Sequence, residues 1–177
     1  MARTRSQSAE AGRCQSAEAR WPALRKIVSG GQTGVDRAAL DVAIALRIAH
    51  GGWCPAGRRA EDGRIPARYR LRETTSREYR VRTTRNVADA DATLILCDGP
   101  LRGGTALTAR VAAERRKPLL VVDLADPPPP ADVRAWIVAN GLETLNVAGP
   151  RESTAPAIHR RAAAYLRVVL ARRRSRR

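Results

Sequence analysis

Three stretches of the 177-residue chain set glycine beside a hydroxyl or an arginine in the loop after an apolar run. They are Gly30-Gly31-Gln32-Thr33-Gly34, Gly103-Gly104-Thr105 and Gly149-Pro150-Arg151-Glu152-Ser153. The chemistry these types allow is anion binding. A helix N-terminus presents unpaired N–H groups and the positive end of its dipole. Glycine lets a phosphate approach the backbone closely. Thr33 adds a hydroxyl, and Arg151 adds a planar fork that grips an oxyanion bidentately. The first stretch lacks the Gly-Lys-Ser/Thr ending of a Walker loop and the third glycine of the dinucleotide fingerprint, so it is neither. Each stretch also reads as a plain strand-to-helix turn, with Thr105 or Ser153 as an N-cap and Glu152 merely holding Arg151.

Asp36 and Arg37 follow the first stretch at once. One reading puts Asp36 on a sugar or base donor and Arg37 on an anion. The other completes an imperfect capping box between Thr33 and Asp36 and pairs Arg37 with Asp41. Residues 51–66 form a long polar segment, and such segments usually carry function or lack order. There Trp53 offers a stacking face, and Arg58 and Arg59 offer charge for phosphate. Cys54 reads as a small buried residue. His50 and His159 receive no role, and no nucleophilic triad can be placed. On this reading Gly31→Val blocks a ligand and leaves folding intact.

The elements that position these residues alternate. Lys26-Ile27-Val28-Ser29 reads as a strand, followed by a helix over about 35–47 with Val35, Ala38, Ala39, Val42 and Leu46 on one face. Gly51-Gly52-Trp53-Cys54-Pro55 is a second strand or turn, and 56–72 an arginine-rich loop without structure. Thr75 and Glu78 form a capping box ahead of a helix through Arg85-Asn86-Val87-Ala88. Residues 92–96, 118–123 and 145–148 are strands with near-continuous apolar runs. Helices follow at 103–116, around Val133–Ile137 and through Ile158–Val169. Asn140-Gly141 closes the middle one. Alternation with buried strands predicts an α/β, Rossmann-like doubly wound fold: a mainly parallel sheet of about five strands with helices on both faces.

Composition bounds the rest. The chain holds 33 Lys plus Arg against 17 acids, a net +16. Only Lys26 and Lys117 are lysines, which with the abundant alanine fits a coding bias as well as a function. Residues 1–24, with the tandem repeat of Arg5–Gly12 and Arg13–Arg20, read as a disordered basic extension, and 171–177 as a basic tail around a single domain at 25–170. Without 1–25 and 171–177 the body still holds 23 basic and 15 acidic residues. That favours anionic ligands. With 3% aromatics and no Phe, stacking platforms for single strands are lacking, so nucleic acid is expected only through non-specific charge. No apolar run of about 18 residues and no secretory signal is present, which gives the expectation of a cytoplasmic protein with no membrane contact. Cys14, Cys54 and Cys97 form neither a disulfide framework nor a zinc site.

The stretch Ser29-Gly30-Gly31-Gln32-Thr33-Gly34-Val35-Asp36-Arg37-Ala38-Ala39-Leu40-Asp41 resembles the opening motif of the molybdenum carrier family, a circularly permuted branch of the Rossmann-like SLOG superfamily. The resemblance continues through Gly51-Gly52-Trp53-Cys54-Pro55, Gly57-Arg58-Arg59-Ala60-Glu61-Asp62-Gly63, Arg82-Thr83, Asn86-Val87, Gly103-Gly104-Thr105 and Asn146–Ser153, and covers about residues 25–166. It implies a small phosphorylated ligand: molybdenum cofactor, a pterin with one phosphate and a metal dithiolene, or a nucleotide. On it the ligand site gathers Gly30, Gly31, Gln32, Thr33, Gly34, Asp36, Arg37, Trp53, Arg58, Arg59, Glu61, Asp62, Arg82, Asn86, Gly103, Gly104, Thr105, Arg151, Glu152 and Ser153, in a chain expected to form a homo-oligomer. An enzyme branch that splits a base from a nucleotide monophosphate carries Gly-Gly-x-Gly-Thr-x-x-Glu. Here Thr108 stands at the position of that Glu, and a hydroxyl cannot replace a carboxylate as acid or base. The expectation is therefore a binding or carrier protein with no catalytic residue. The alternatives are a nucleotide-processing enzyme drawing its carboxylate from Asp36 or Glu61, and a nucleic-acid binder.

Overall fold

The structure, a computed structural model, describes residues 24–171. The readings of the tandem repeat, Cys14 and the C-terminal tail lie outside the described residues. A central sheet is built from β1 (Lys26–Val28), β2 (Ala49–Gly51), β7 (Ala92–Cys97), β8 (Leu119–Asp123) and β9 (Thr144–Ala148). Its order is β2-β1-β9-β7-β8 and every pairing is parallel. All six residues of β7 are buried, as a strand covered on both faces requires. Helices α1 (Val35–Ala45), α4 (Pro130–Ala139) and α5 (Ile158–Leu170) cover one face, where Val35, Val42, Ile137, Ile158 and Leu166 meet Ile27, Leu94, Leu96, Leu145 and Val147. Helices α2 (Tyr79–Asp89) and α3 (Gly103–Glu114) cover the other through Val87, Val111 and Ala112. The fold is the expected doubly wound one. Among the described residues no helix is long and apolar enough to cross a membrane.

The position of β9 decides where a ligand fits. Counted with β9 as the first strand, the order becomes 3-2-1-4-5, a doubly wound sheet whose chain begins at another point. The direction of winding reverses between β9 and β7. Crevices for ligands open at such a reversal, beyond the carboxyl ends of the strands. Here those ends are Ala148 and Cys97.

Several local expectations are corrected. Residues 56–72 are ordered. Cys54 of β3 (Trp53–Cys54) faces Glu73 of β6 (Arg72–Glu73) in a parallel pair, and β4 (Arg59–Ala60) pairs with β5 (Gly63–Arg64) as a small antiparallel hairpin. The reason is a satellite core of Leu40, Cys54, Ile65, Tyr69 and Leu71. Its apolar members are spaced too widely among the arginines for a periodic pattern. Arg58 supplies the polar half. Its guanidinium donates to the carbonyls of Ile65, Pro66, Tyr69 and Leu71 at 2.9–3.2 Å.

Helix α2 starts at Tyr79, so the box of Thr75 and Glu78 does not form; Ser76 Oγ accepts the Glu78 N–H instead. Thr105 lies inside α3, whose N-cap is Arg102. Helix α5 begins only at Ile158, behind a turn over 152–157. Ser153 therefore does not cap it and Arg151 does not open it. Gly141, at φ 59°, ends α4 as expected.

Arg58→Lys tests the corrected reading of this segment. An ammonium at that position cannot serve four carbonyls, and each carbonyl left short of a partner carries a desolvation cost of about 1–3 kcal/mol. We expect a loss of about 2 kcal/mol in urea unfolding with the far-UV signal of the folded state unchanged.

Candidate functional site

At the reversal point lies a cavity of about 690 Å³. Its floor is the carboxyl ends of β7 and β9, with Cys97, Asp98, Ala148 and Gly149. One wall is the first turn of α3, with Gly103, Gly104, Thr105 and Thr108. The opposite wall holds Gln32 and Asp36, and Tyr79, Arg82 and Arg151 close the side. The volume falls in the range of small-molecule sites. Cβ atoms added at Gly103 and Gly104 would meet no atom within 4 Å. The Thr105 and Ala106 amides donate to the Arg102 carbonyl at 3.1 and 3.2 Å, which leaves the Gly103 and Gly104 amides as the anion-binding end that α3 offers the cavity. Arg151 and Arg82 both lie over the Tyr79 ring, at 4.9 and 5.9 Å from its centre.

The first glycine stretch is built differently from the phosphate cradle its sequence suggests. Two of its five amides, and the one that follows, are already used. Gln32 N–H donates to Asp36 Oδ2 (3.3 Å), Thr33 N–H to Gln32 Oε1 (3.1 Å) and Val35 N–H to the Pro150 carbonyl (3.3 Å). Gly30 lacks a side chain because the Arg82 guanidinium occupies that space. Gly31, at φ 76°, faces Leu71 and Ile65, so a valine there is a folding defect as well as a change near the site. Gly34 packs on Pro150 and Arg151, and Gly149 on the Leu96 carbonyl and Val35. The close approach that these glycines allow is of protein to protein.

Asp36 is the most unusual group. Its side chain is 4% exposed and pairs with Arg82 Nη1 at 3.1 Å. It does not cap Thr33. Burial pushes its carboxyl above the ordinary 3.8, against the pull of Arg82 and the Gln32 amide. Two buried donors near it have no partner among the described residues, Gln32 Nε2 and Arg82 Nε. Orphaned donors on a cavity wall are where an absent ligand or water makes its bonds.

The other sequence-predicted residues sit around this site rather than on it. Arg37 forks onto Asp62 (Nη2–Oδ1 2.7 Å) and donates to the Gly31 carbonyl, not to Asp41. Glu61 accepts from the Thr33 hydroxyl and from the hydroxyl and amide of Ser153. Glu61 and Asp62 thus clasp the β4–β5 hairpin to the first and third glycine stretches. Glu152 caps α5, accepting Ala157 N–H at 2.6 Å and His159 N–H at 3.0 Å. Asn86 ties both backbone groups of Trp53 to α2. Trp53 donates its indole N–H to Asp89 and carries Arg85 over its ring at 4.5 Å. Arg59 is exposed on the hairpin. What sequence reasoning left out is Tyr79, Cys97, Asp98 and Arg102 on the cavity; the β7 strand end before Gly103 was the available signal.

The clasp has a pH signature. Burial raises the Glu61 carboxyl, but the Ser153 and Thr33 hydroxyls outweigh it and hold the value below 4.5. The Arg37 bond holds Asp62 below 3.8. Carboxylates lowered in the folded state stabilise above their unfolded values and lose that contribution as pH falls through the folded ones. We expect the hairpin amides to be protected from hydrogen exchange at pH 6 and to lose protection below about pH 4, before the central strands do.

A family model described as the circularly permutated YpsA SLOG family matches residues 27–170. Among solved structures, the crystal structure of the putative molybdenum carrier protein from Syntrophus aciditrophicus is 46% identical in sequence. It covers 85% of this chain and 97% of its own, with a TM-score of 0.83. No curated protein matches the chain. With the family model spanning the whole sheet and the order of its strands restored by counting from β9, the chain belongs to the circularly permutated YpsA SLOG family.

Proposed function

We propose that the protein binds and carries a small phosphorylated heterocycle, molybdenum cofactor or a nucleotide, in the cavity between β7 and β9. The observation that carries this reading is the pairing of two unlike ends in one cavity. The first turn of α3, with Arg102 and Arg151 nearby, suits a phosphate. The Asp36–Gln32 wall suits the polar edge of a ring, and Tyr79 offers a face to stack on. The structural relative named as a molybdenum carrier makes the cofactor a reasonable cargo. The orphaned donors fit its acceptor-rich organic part, which itself holds the metal. Gln32, Asp36, Arg82, Gly103, Gly104, Thr105 and Arg151 are the binding residues on this reading; the remaining predicted residues position them.

A single observation favours a second reading. Asp36 is a buried carboxyl with a raised value on the cavity wall, and such groups serve as acids or bases. It would provide the carboxylate of a nucleotide-splitting enzyme. Thr108 works against it: its hydroxyl donates to the Gly104 carbonyl at 2.9 Å and offers no ionisable group.

Mass spectrometry of the natively prepared protein should show a bound phosphorylated heterocycle. With that compound, Arg151→Lys should lower affinity by about 1–2 kcal/mol, because an ammonium loses the bidentate grip. Arg77→Lys, outside the cavity, should change it by less than about 0.5 kcal/mol. Equal affinities would remove Arg151 from the site. Incubation with nucleoside monophosphates should release no free base. Turnover near the ~10 per second of an ordinary enzyme would replace the carrier reading by the enzymatic one.

A further inference from the structure

One edge of the central sheet is open. β8 stands last in the order β2-β1-β9-β7-β8 and bonds to β7 alone among the described residues. The Pro118 carbonyl accepts the Thr93 N–H, and the Leu124 N–H donates to the Cys97 carbonyl at 2.8 Å. Backbone groups alternate in direction along a strand, so the even-numbered residues between these two also face β7. Leu119, Val121 and Asp123 turn their N–H and C=O groups outward, where they meet no partner among the described residues. Leu119 packs beside Val87, Val111 and Ala112, but Val121 is 42% exposed. Sheet edges are usually blunted by a charge, a proline or a bulge. Leu119-Leu120-Val121-Val122 holds neither charge nor proline. The opposite edge is better protected. β2 has three residues, and Arg70 N–H donates to its His50 Nε2 while Arg72 N–H donates to the carbonyl of Gly52 just beyond it.

We infer that β8 is the docking edge for a second copy of this chain, paired antiparallel about Val121 across a twofold axis. Register and charge identify the occupant. In this register Val121 faces the partner's Val121, and Leu119 faces the partner's Asp123. Every outward residue of β8 then sits in a close pair that exchanges two N–H···O bonds. An axis centred one residue either way leaves an outward residue of each strand beyond the end of the other. Charge selects the same direction. Arg115, Arg116 and Lys117 precede β8, with Glu114 the one acid beside them, whereas Asp123 ends the strand and Asp126 follows. Arg115, Arg116 and Asp126 are exposed and form no salt bridge among the described residues. Antiparallel pairing sets the basic start of each strand against the acidic end of the other, twice over. A parallel arrangement would set like charge on like. Valine against valine also covers the exposed side chain with an apolar cross-strand contact. The edge is thus complementary to itself, as an interface about a twofold axis requires. The two five-stranded sheets become one continuous sheet, whatever the cavity holds.

The test is sedimentation equilibrium of the full chain over a dilution series, with far-UV circular dichroism as the check on folding. The parent should shift from monomer to dimer as concentration rises. Val121→Lys puts a charge at the axis on an exposed position and should weaken the dimer at least tenfold. Val121→Pro removes an N–H that points away from β7, a change an edge strand tolerates, and should weaken it likewise; it serves where the lysine variant fails to fold. Arg115→Glu combined with Arg116→Glu should weaken the dimer at least fivefold, and adding Asp126→Arg to that chain should recover part of the loss. A full chain that stays monomeric at every concentration overturns the inference, including the case in which another segment of the same chain takes the edge. A dimer that the folded Val121 variants leave intact uses another surface and overturns it as well. Charge reversal without effect on the dimer overturns the antiparallel register.

Discussion

The last strand of the chain to be made is the central strand of the sheet. β9 lies between β1 and β7 and hydrogen-bonds to both, so the two halves of the sheet share no edge until residues 144–148 arrive. Everything at the site follows from that placement. The Ser29 hydroxyl at the end of β1 donates to the Val147 carbonyl, Gly149 lies against the Leu96 carbonyl, and Gly34 lies against Pro150. Three loops distant in sequence are thereby brought to the same strand ends. A doubly wound sheet reverses its winding beside its first strand in the usual order. Here the strand in that position is the last one, and the cavity sits above it.

Glycine in this family of loops serves two purposes that the sequence does not separate. At Gly30, Gly31, Gly34 and Gly149 the missing side chain is filled by protein: a guanidinium, two apolar side chains, or backbone. At Gly103 and Gly104 it is filled by nothing, and the start of α3 opens on the cavity. Both uses put glycine at the junction of a strand and a helix. The difference is set by the partner across the gap, which for Gly30 is an arginine 52 positions away in the chain. A local reading of the first stretch therefore assigns to a phosphate the space that Arg82 takes.

The parts legible in the sequence are those with a period or a local cause. The buried run of β7, the apolar face of α1 and the Asn140-Gly141 stop of α4 rest on contacts within a few residues or on one continuous face, and they stand where the patterns put them. The parts that were not legible are long-range polar bonds. The Arg58 guanidinium gathers four carbonyls spread over residues 65–71, and Glu61 reaches Thr33 in one direction and Ser153 in the other. Nothing in the spacing of Arg58 or Glu61 marks them as anchors. The segment looked structureless because its order comes from these side chains and from Ile65, Tyr69 and Leu71, none of which forms a helical or strand period.

The arginine excess also changes meaning once its partners are known. Arg37 is held by Asp62, Arg82 by Asp36, Arg161 by Asp98, Arg68 by Asp41, and Arg134 reaches the carbonyl of Val168 in the last turn of α5. Arg58 commits four of its five donors to backbone carbonyls. The ion pairs cancel acids already counted in the net +16, while Arg58 and Arg134 keep their charge on backbone carbonyls. Arg102 and Arg151, which line the cavity, form no salt bridge among the described residues, so they meet an incoming anion without first breaking an ion pair. Arg151 is further fixed over Tyr79, which lowers the entropy lost when its fork closes on a ligand. A charged chain can in this way be selective: the paired arginines are held by the fold, and Arg102 and Arg151 stay available beside a cavity sized for one small molecule.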